Sequence, residues 1–193
     1  MVNNKIKRKD YRRKREGKTN YKQRLTYLVS RKLRFVIRKT NKQFIVQLVD
    51  YKTDGDKIIF SVSSVNLKKY GWNFSKKSIP AAYLTGLLAG KMALSKKHDK
   101  AIIDIGMQSK SHGNSLFSVI KGIVDSGVSV PYSEKCFPKE ERIKGEHIVS
   151  FSETVKKDKD KYSNVFLNYD KNSLKVEDLS KIFEDVKQKI MNL

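Results

Sequence analysis

The residues best suited to chemistry lie near the N-terminus, where basic side chains alternate with tyrosines. The segment 5–24 has the sequence KIKRKDYRRKREGKTNYKQR and places Tyr11 and Tyr21 among guanidinium and ammonium groups. Guanidinium groups fork onto phosphates, and aromatic rings stack on unpaired nucleotides. The segment therefore predicts an RNA-binding arm whose phosphate contacts supply affinity, while the folded body supplies specificity. The alternatives are a solubilising or localisation tail, or a protein-interaction adaptor with an incidental charged tail.

A second basic segment, RKTNK at 38–42, occupies the predicted tip of a hairpin. At a hairpin tip it could meet a nucleic-acid backbone that the arm does not reach. An ordinary charged turn explains the same residues equally well.

The charge of the whole chain favours a polyanionic partner. It contains 42 Lys and Arg against 20 Asp and Glu, a net charge of +22. Residues 1–42 contain 17 basic and two acidic residues, a net +15, while residues 43–193 contain 25 and 18, a net +7. An excess concentrated in this way repels itself unless it is neutralised, so nucleic acid is the first partner to consider.

Two aspartates offer the strongest alternative, an enzyme. Asp50 and Asp104 each end an apolar run. Paired carboxylates on a mixed sheet could hold two magnesium ions, as in a nuclease of the ribonuclease H type. Asp104 could equally cap the adjoining loop. The sequence GLLAGKM at 86–92 lacks the spacing of a phosphate-binding loop, and no G-x-S-x-G motif is present. We therefore predict no catalytic residue.

Cysteine and histidine are too sparse to suggest a cofactor. The single cysteine, Cys136, cannot form an internal disulfide, and His98, His112 and His147 lack the spacing of metal ligands. We expect no metal, other cofactor or small-molecule substrate. The N-terminus lacks an apolar signal region, and the longest apolar stretch, 79–94, is shorter than a membrane span. These features predict a cytoplasmic protein with no membrane partner.

The predicted arm ends where an amphipathic helix begins. Residues 1–18 contain almost no apolar side chains and should be extended until an anionic surface neutralises them. Asn20 can cap a helix, with Gln23 at the capping-box position. The apolar stripe predicted for this helix consists of Tyr21, Leu25, Leu28 and Val29.

Three short runs follow with the alternation typical of strands. They span 34–38, 43–50 and 58–64 and are separated by turn residues, which predicts an antiparallel meander. In the third run, Phe60 and Val62 should face the same covered side of the sheet.

The next segment predicts a helix, a strand and a second helix. The first helix should run from Pro80 to His98, with Gly86 and Gly90 letting it lie tightly on the sheet. The run 101–106 is nearly all apolar and predicts a strand in the buried middle of the sheet. A helix is predicted from about 115 to 125.

These elements predict the α/β class, a single mixed-sheet sandwich with a basic N-terminal arm and a C-terminal helix. We divide the chain into an arm at 1–19, a body at 20–150 and a C-terminal extension at 151–193. The extension should end in an amphipathic helix, whose apolar face consists of Leu179, Ile182, Phe183, Val186 and Ile190.

Six strings occur in the order typical of one family. They are DYRRKREGKTNYKQRL, RKTNKQFIVQLVDY, SSVNLKKYGW, PAAYLTGLLAGKMAL, IIDIGMQS and VPYSE. Over roughly residues 5–150 the chain resembles the archaeal-type large-subunit ribosomal protein L-eighteen family, whose eukaryotic counterpart is ribosomal protein L-five. It lacks the longer C-terminal extension of the eukaryotic form, and it differs from the bacterial form in having residues after the second helix.

The resemblance implies a protein without catalytic activity that binds 5S rRNA. Such a protein helps attach 5S rRNA to the large-subunit rRNA in the central protuberance, beside neighbouring ribosomal proteins of the cytoplasmic ribosome. The contact candidates that the resemblance implies are Lys7, Arg8, Lys9, Arg12, Arg13, Lys14, Arg15, Lys18, Tyr21 and Arg24. The secondary candidates are Arg38, Lys39, Asn41 and Lys42.

Overall fold

The computed structural model describes residues 9–170 and 174–193, and its centre is a four-stranded mixed sheet. The strand order is β3-β2-β1-β4, with β1 antiparallel to β2, β2 antiparallel to β3 and β1 parallel to β4. The strands are β1 Arg34–Lys39, β2 Phe44–Asp50, β3 Lys57–Ser63 and β4 Ile102–Asp104. The predicted α/β class and three-strand meander are confirmed.

Eight α-helices surround or precede this sheet within the described residues. They are α1 Arg12–Arg15, α2 Tyr21–Val29, α3 Ile79–Ser95, α4 Ser115–Asp125, α5 Glu140–Lys144, α6 Glu146–Val155, α7 Lys159–Asp170 and α8 Leu179–Met191. Short 3₁₀ helices lie at Asn66–Tyr70, Glu134–Cys136 and Val176–Asp178. In the parts of the chain that the structure describes, no helix has both the length and the apolar character needed to cross a membrane.

One face of the sheet carries the core. Phe35, Ile37 and Leu48 are fully buried, and the alternate positions Val36 and Gln47 on the opposite face are only half-buried. The buried face packs against α3 and α4. This alternation is the expected consequence of a strand whose successive side chains point to opposite faces. The alternation predicted for the third run, with Phe60 and Val62 buried, is confirmed.

The fourth strand corrects one prediction. The run 101–106 was expected in the middle of the sheet, but β4 has only three residues and lies at the edge beside β1. The strand ends because the chain turns after Asp104, whose Oδ1 accepts a hydrogen bond from the backbone N of Gly106 at 2.8 Å. Apolar content predicted burial correctly at Ala101 and Ile105, which lie in the core outside the strand.

The glycines of α3 correct a second prediction. Gly86 and Gly90 do not lie against the sheet, because they face α4. A Cβ added at Gly86 would overlap the backbone oxygen of Val119, and one at Gly90 would overlap the side chain of Ser126. Gly122 of α4 lies equally close to the backbone of α3. The two helices therefore contact backbone to backbone, and the larger side chains of α3 remain available to the sheet.

The predicted C-terminal amphipathic helix is confirmed as α8. Leu179, Phe183, Val186 and Ile190 are buried in the same core as the sheet, and Ile182 packs at its edge. The rings of Phe183 and Tyr83 lie 5.7 Å apart, which joins α8 to α3.

Replacing Gly86 with alanine should destabilise the fold. Alanine favours a helix by about 1 kcal/mol over glycine, but the added methyl has no space between α3 and α4. We expect a net loss of about 1–3 kcal/mol in the free energy of unfolding, measured by urea denaturation. Ser95→Ala, at an exposed position of the same helix, is the control and should change that free energy by less than about 0.5 kcal/mol. Equal stability of Gly86→Ala and wild type would contradict the close approach of the two helices.

Candidate nucleic-acid interface

The basic arm contains a short helix where an extended chain was expected. Within the described part of the arm, α1 spans Arg12–Arg15 and has no buried residue. The helical turn is stabilised locally, because Lys14 pairs with Asp10 at 2.7 Å and Lys18 pairs with Glu16 at 2.8 Å. These two acidic residues offset part of the repulsion between the basic side chains, which was the reason to expect an extended chain. Of the contact candidates, Lys7 and Arg8 lie outside the described residues.

The cations of the arm are accessible to a partner. The side chains of Arg12, Lys14 and Lys18 are more than half exposed. Lys9, Arg13 and Arg15 are exposed as well, although Arg13 Nε donates a hydrogen bond of 2.9 Å to Thr19 Oγ1. Because α1 buries none of its residues against the body, these solvated charges can meet phosphates.

Helix α2 begins as predicted and lies on the surface. The side chain of Asn20 accepts a hydrogen bond of 3.1 Å from the backbone N of Gln23, which confirms the N-cap. Of the predicted apolar stripe, only Leu28 is half-buried, so most of the stripe is uncovered. Tyr21, Leu25 and Val29 are all exposed. The helix therefore needs polar contacts to hold it.

An ion-pair chain of five side chains supplies those contacts. Arg24 of α2 donates to both carboxylate oxygens of Asp56 at 3.0 Å. Arg34 lies 2.9 Å from Asp56 and 3.5 Å from Asp104, and its side chain is 1% exposed. Arg38 completes the ion-pair chain with contacts of 3.3 Å to the carboxylate and 2.8 Å to the backbone oxygen of Asp104. Three guanidinium groups share two carboxylates, so the ion-pair chain retains one positive charge.

The ionisation of Asp56 reflects its position between two arginines. Burial alone would raise its pKa, but the close guanidinium groups of Arg34 and Arg24 outweigh that effect and lower the pKa. Asp56 is therefore a carboxylate throughout the neutral range. The pKa of the nearby Tyr27 phenol is raised, first by burial and then by the negative charge of Asp104.

A cleft of about 550 Å³ opens between α1, α2 and the ends of β1 and β4. Its lining brings together five of the predicted contact residues, namely Arg13, Lys18, Tyr21, Arg24 and Arg38. The remaining lining residues include Gln23, Tyr27, Asp56 and Asp104. The arrangement presents fixed guanidinium groups and aromatic rings around one concave surface, which suits a phosphate-bearing ligand.

The secondary candidates at the β1–β2 turn lie away from the cleft. Asn41 and Lys42 are exposed there. Lys39 donates from Nζ to Ser115 Oγ at 3.0 Å, which fixes it against the start of α4. Arg38 is the exception among the secondary candidates, because it belongs to both the ion-pair chain and the cleft.

Sequence reasoning missed Arg34, Asp56 and Tyr27. Arg34 begins a strand whose centre is apolar, and its position directly before Phe35 was the available signal, since a buried guanidinium needs a carboxylate partner. Asp56 carried no such signal, because an aspartate in a hairpin turn is ordinary.

The nuclease alternative gains no support from the two aspartates. Asp50 and Asp104 lie on β2 and β4, which are separated by β1. Asp104 is engaged by Arg34 and Arg38, and Asp50 lies 3.7 Å from Lys52. Across 9–170 and 174–193, no three His, Cys, Asp or Glu side chains are grouped so that they could hold a metal ion. The glycines of GLLAGKM are occupied by the contact with α4.

Comparison with known proteins places this basic α/β protein among large-subunit ribosomal proteins. A family model described as "Ribosomal large subunit proteins 60S L5, and 50S L18" matches residues 5–100 and 95–133. The large ribosomal subunit protein uL18 of Korarchaeum cryptofilum is 42% identical over 180 residues, 93% of this chain and 92% of that protein. The uL18 protein of Methanosphaera stadtmanae is 41% identical, with the same coverage. The chain belongs to the archaeal-type uL18 family, which makes it a constituent of the large ribosomal subunit, associated with rRNA.

Replacing Asp56 with asparagine should lower stability in a pH-dependent way. Near neutral pH the variant leaves Arg34 with one carboxylate fewer, and we expect a loss of about 1–3 kcal/mol in the free energy of unfolding. Because folding lowers the pKa of Asp56, its stabilisation is present above the ordinary aspartate pKa and is lost as the pH falls through the lowered value.

Urea denaturation as a function of pH measures this effect. The difference between wild type and Asp56→Asn should be largest near neutral pH and should shrink on acidification. Asp54→Asn, in the same turn but at a residue whose side chain is held, within the described residues, only by a hydrogen bond of 3.5 Å from Thr53, should differ little from wild type at any pH. A difference that grows on acidification would contradict the ion-pair chain.

Proposed function

We propose that this protein binds 5S rRNA and helps attach it to the large-subunit rRNA in the central protuberance, without catalysing a reaction. The observation that carries the proposal is the convergence of arm and body cations on one cleft, lined by Arg13, Lys18, Arg24 and Arg38. Membership of the archaeal-type uL18 family supports it, since the family is one of large-subunit ribosomal proteins. Neighbouring ribosomal proteins are further partners in this proposal.

The proposed mechanism combines charge with shape. Cations of the arm neutralise phosphates and release the counterions condensed on the RNA. Such contacts do not discriminate between sequences, so selection of 5S rRNA falls to the rigid cleft, where Asp56 and Asp104 fix the arginines. The RNA-contact residues in this proposal are those of the arm, Lys7, Arg8, Lys9, Arg12, Arg13, Lys14, Arg15 and Lys18, followed by Tyr21, Arg24, Arg38, Lys39, Asn41 and Lys42.

Mobility shifts with purified 5S rRNA should reveal strong salt dependence. If roughly six to ten phosphates are neutralised, affinity should fall by about three to five orders of magnitude between 50 and 200 mM salt. A tRNA competitor of similar charge should displace the protein much less effectively than unlabelled 5S rRNA does. Equal competition by both RNAs, or a flat salt response, would refute the proposal.

A charge-matched pair of variants tests the assignment to the arm. Changing Arg12, Arg13 and Arg15 to glutamine should lower affinity for 5S rRNA and reduce the salt slope by about one for each phosphate that is no longer neutralised. The control changes Lys135, Lys175 and Lys181 to glutamine, which removes the same charge from exposed positions outside the arm. Equal reductions in affinity for both variants would show that only net charge matters.

The Asp56→Asn variant offers a further test, because it removes a negative charge from a surface that meets a polyanion. Simple electrostatics predicts tighter binding. We expect weaker binding, by about tenfold, since Arg24 loses the carboxylate that fixes its guanidinium plane. The same mobility shift measures it, with Asp54→Asn as the control. Tighter binding by Asp56→Asn would mean that the ion-pair chain does not position Arg24 for RNA.

A further inference from the structure

Two tyrosines form an exposed aromatic pair at the junction of arm and body. The ring centroids of Tyr11 and Tyr21 are 5.2 Å apart, with their planes inclined by 44°. Tyr11 is 73% exposed and Tyr21 is 36% exposed. We name this pair the aromatic platform. An aromatic pair of this kind usually buries a large area, but here most of one ring remains in water.

The turn between α1 and α2 holds the aromatic platform in place. Tyr11 immediately precedes α1, and its backbone oxygen accepts hydrogen bonds from Lys14 and Arg15. Tyr21 is the first residue of α2, which Asn20 caps. The hydrogen bond from Arg13 to Thr19 closes the intervening turn. The contact between the two rings is therefore fixed by the local structure of residues 11–21.

The aromatic pair of Trp72 and Phe74, by contrast, has an evident structural role. Trp72 and Phe74 are both buried in the core, and the indole N–H of Trp72 donates to Ser75 O at 3.2 Å. The aromatic platform lies outside the core, and α1 and α2 bury none of their own residues. Among the described residues, neither hydroxyl of the platform forms a hydrogen bond with another side chain. The pair is therefore not part of the hydrophobic core.

The charges around the aromatic platform indicate its occupant. Arg12 and Arg13 directly follow Tyr11, and Lys22 directly follows Tyr21. Tyr21 also lines the cleft, together with Lys18 and Arg24. A nucleobase has a flat face that stacks on an aromatic ring, and it brings its own phosphates on either side, within reach of such cations. A neutral protein surface could pack against the rings, but it would leave the neighbouring cations without a negatively charged partner.

We propose that Tyr11 and Tyr21 stack on an unpaired base of the bound RNA. This inference rests on the proposed function and deepens it, since it names the class of nucleotide that the arm recognises. A base paired inside a helix is stacked on both faces, so the aromatic platform selects a bulged, looped or terminal nucleotide. Stacking tolerates any base, whereas the surrounding cations bind the flanking phosphates.

Tyrosine variants separate stacking from charge. Tyr11→Leu and Tyr21→Leu keep apolar bulk but remove the ring, and each should weaken binding of 5S rRNA by about fivefold to a hundredfold. The slope of log affinity against log salt should stay unchanged, because the variants neutralise the same number of phosphates. Tyr11→Phe and Tyr21→Phe retain the ring and should bind like wild type. Tyr132→Leu is the matched control, because Tyr132 is 52% exposed and pairs with Phe137 outside the cleft.

A second RNA identifies the recognised feature. A fully paired RNA duplex of similar length should bind wild type and both leucine variants with equal affinity. Leucine variants that bind 5S rRNA as wild type does would overturn the aromatic platform while leaving the proposed function intact. A wild-type protein that does not distinguish 5S rRNA from tRNA would instead overturn the proposed function. Circular dichroism establishes that each variant is folded. If Tyr11→Phe binds 5S rRNA as weakly as Tyr11→Leu does, stacking is also rejected.

Discussion

Two carboxylates, Asp56 and Asp104, hold three arginines together over the face of the sheet opposite the core, and the basic surface depends on this arrangement. Arg34 alone would be a buried charge without compensation, and Arg24 is a principal tie between α2 and the body. Forming such an ion pair and breaking it have unequal effects on stability. An intact pair contributes modestly, whereas removal of one partner leaves a desolvated charge behind. A protein with a large positive excess thus uses two of its acidic residues to orient cations.

Much of the fold follows from local pattern. Alternating residues identified the three strands of the meander, Asn20 identified the start of α2, and a stripe of apolar side chains identified α8. Each of these signals arises within a few residues of the chain. The position of β4 and the partner of Gly86 depend on contacts distant in sequence, and neither apolar content nor helix spacing encodes them. A run of isoleucines indicates that the segment is buried. It does not indicate whether packed α-helices or neighbouring strands cover it.

The charge of the candidate site could be predicted from the sequence, but its geometry could not. The density of arginine and lysine marked the arm, but nothing local indicated that Arg24 and Arg38 would converge on one cleft through a shared pair of aspartates. The stripe on α2 shows the reverse error. Tyr21, Leu25 and Val29 have helical spacing typical of a core face, yet all three are exposed. The spacing of apolar residues shows that one face of a helix is apolar. It does not show whether other parts of the same chain bury that face.

The packing of α8 on α3 has a consequence for synthesis. Lys91 Nζ reaches the backbone oxygen of Met191, a contact across 100 residues of sequence. At translation rates of roughly 5–20 residues per second, the interval between the emergence of these two helices is about 5–20 s. For that time the nascent chain carries an uncovered apolar surface beside a strongly cationic leading segment.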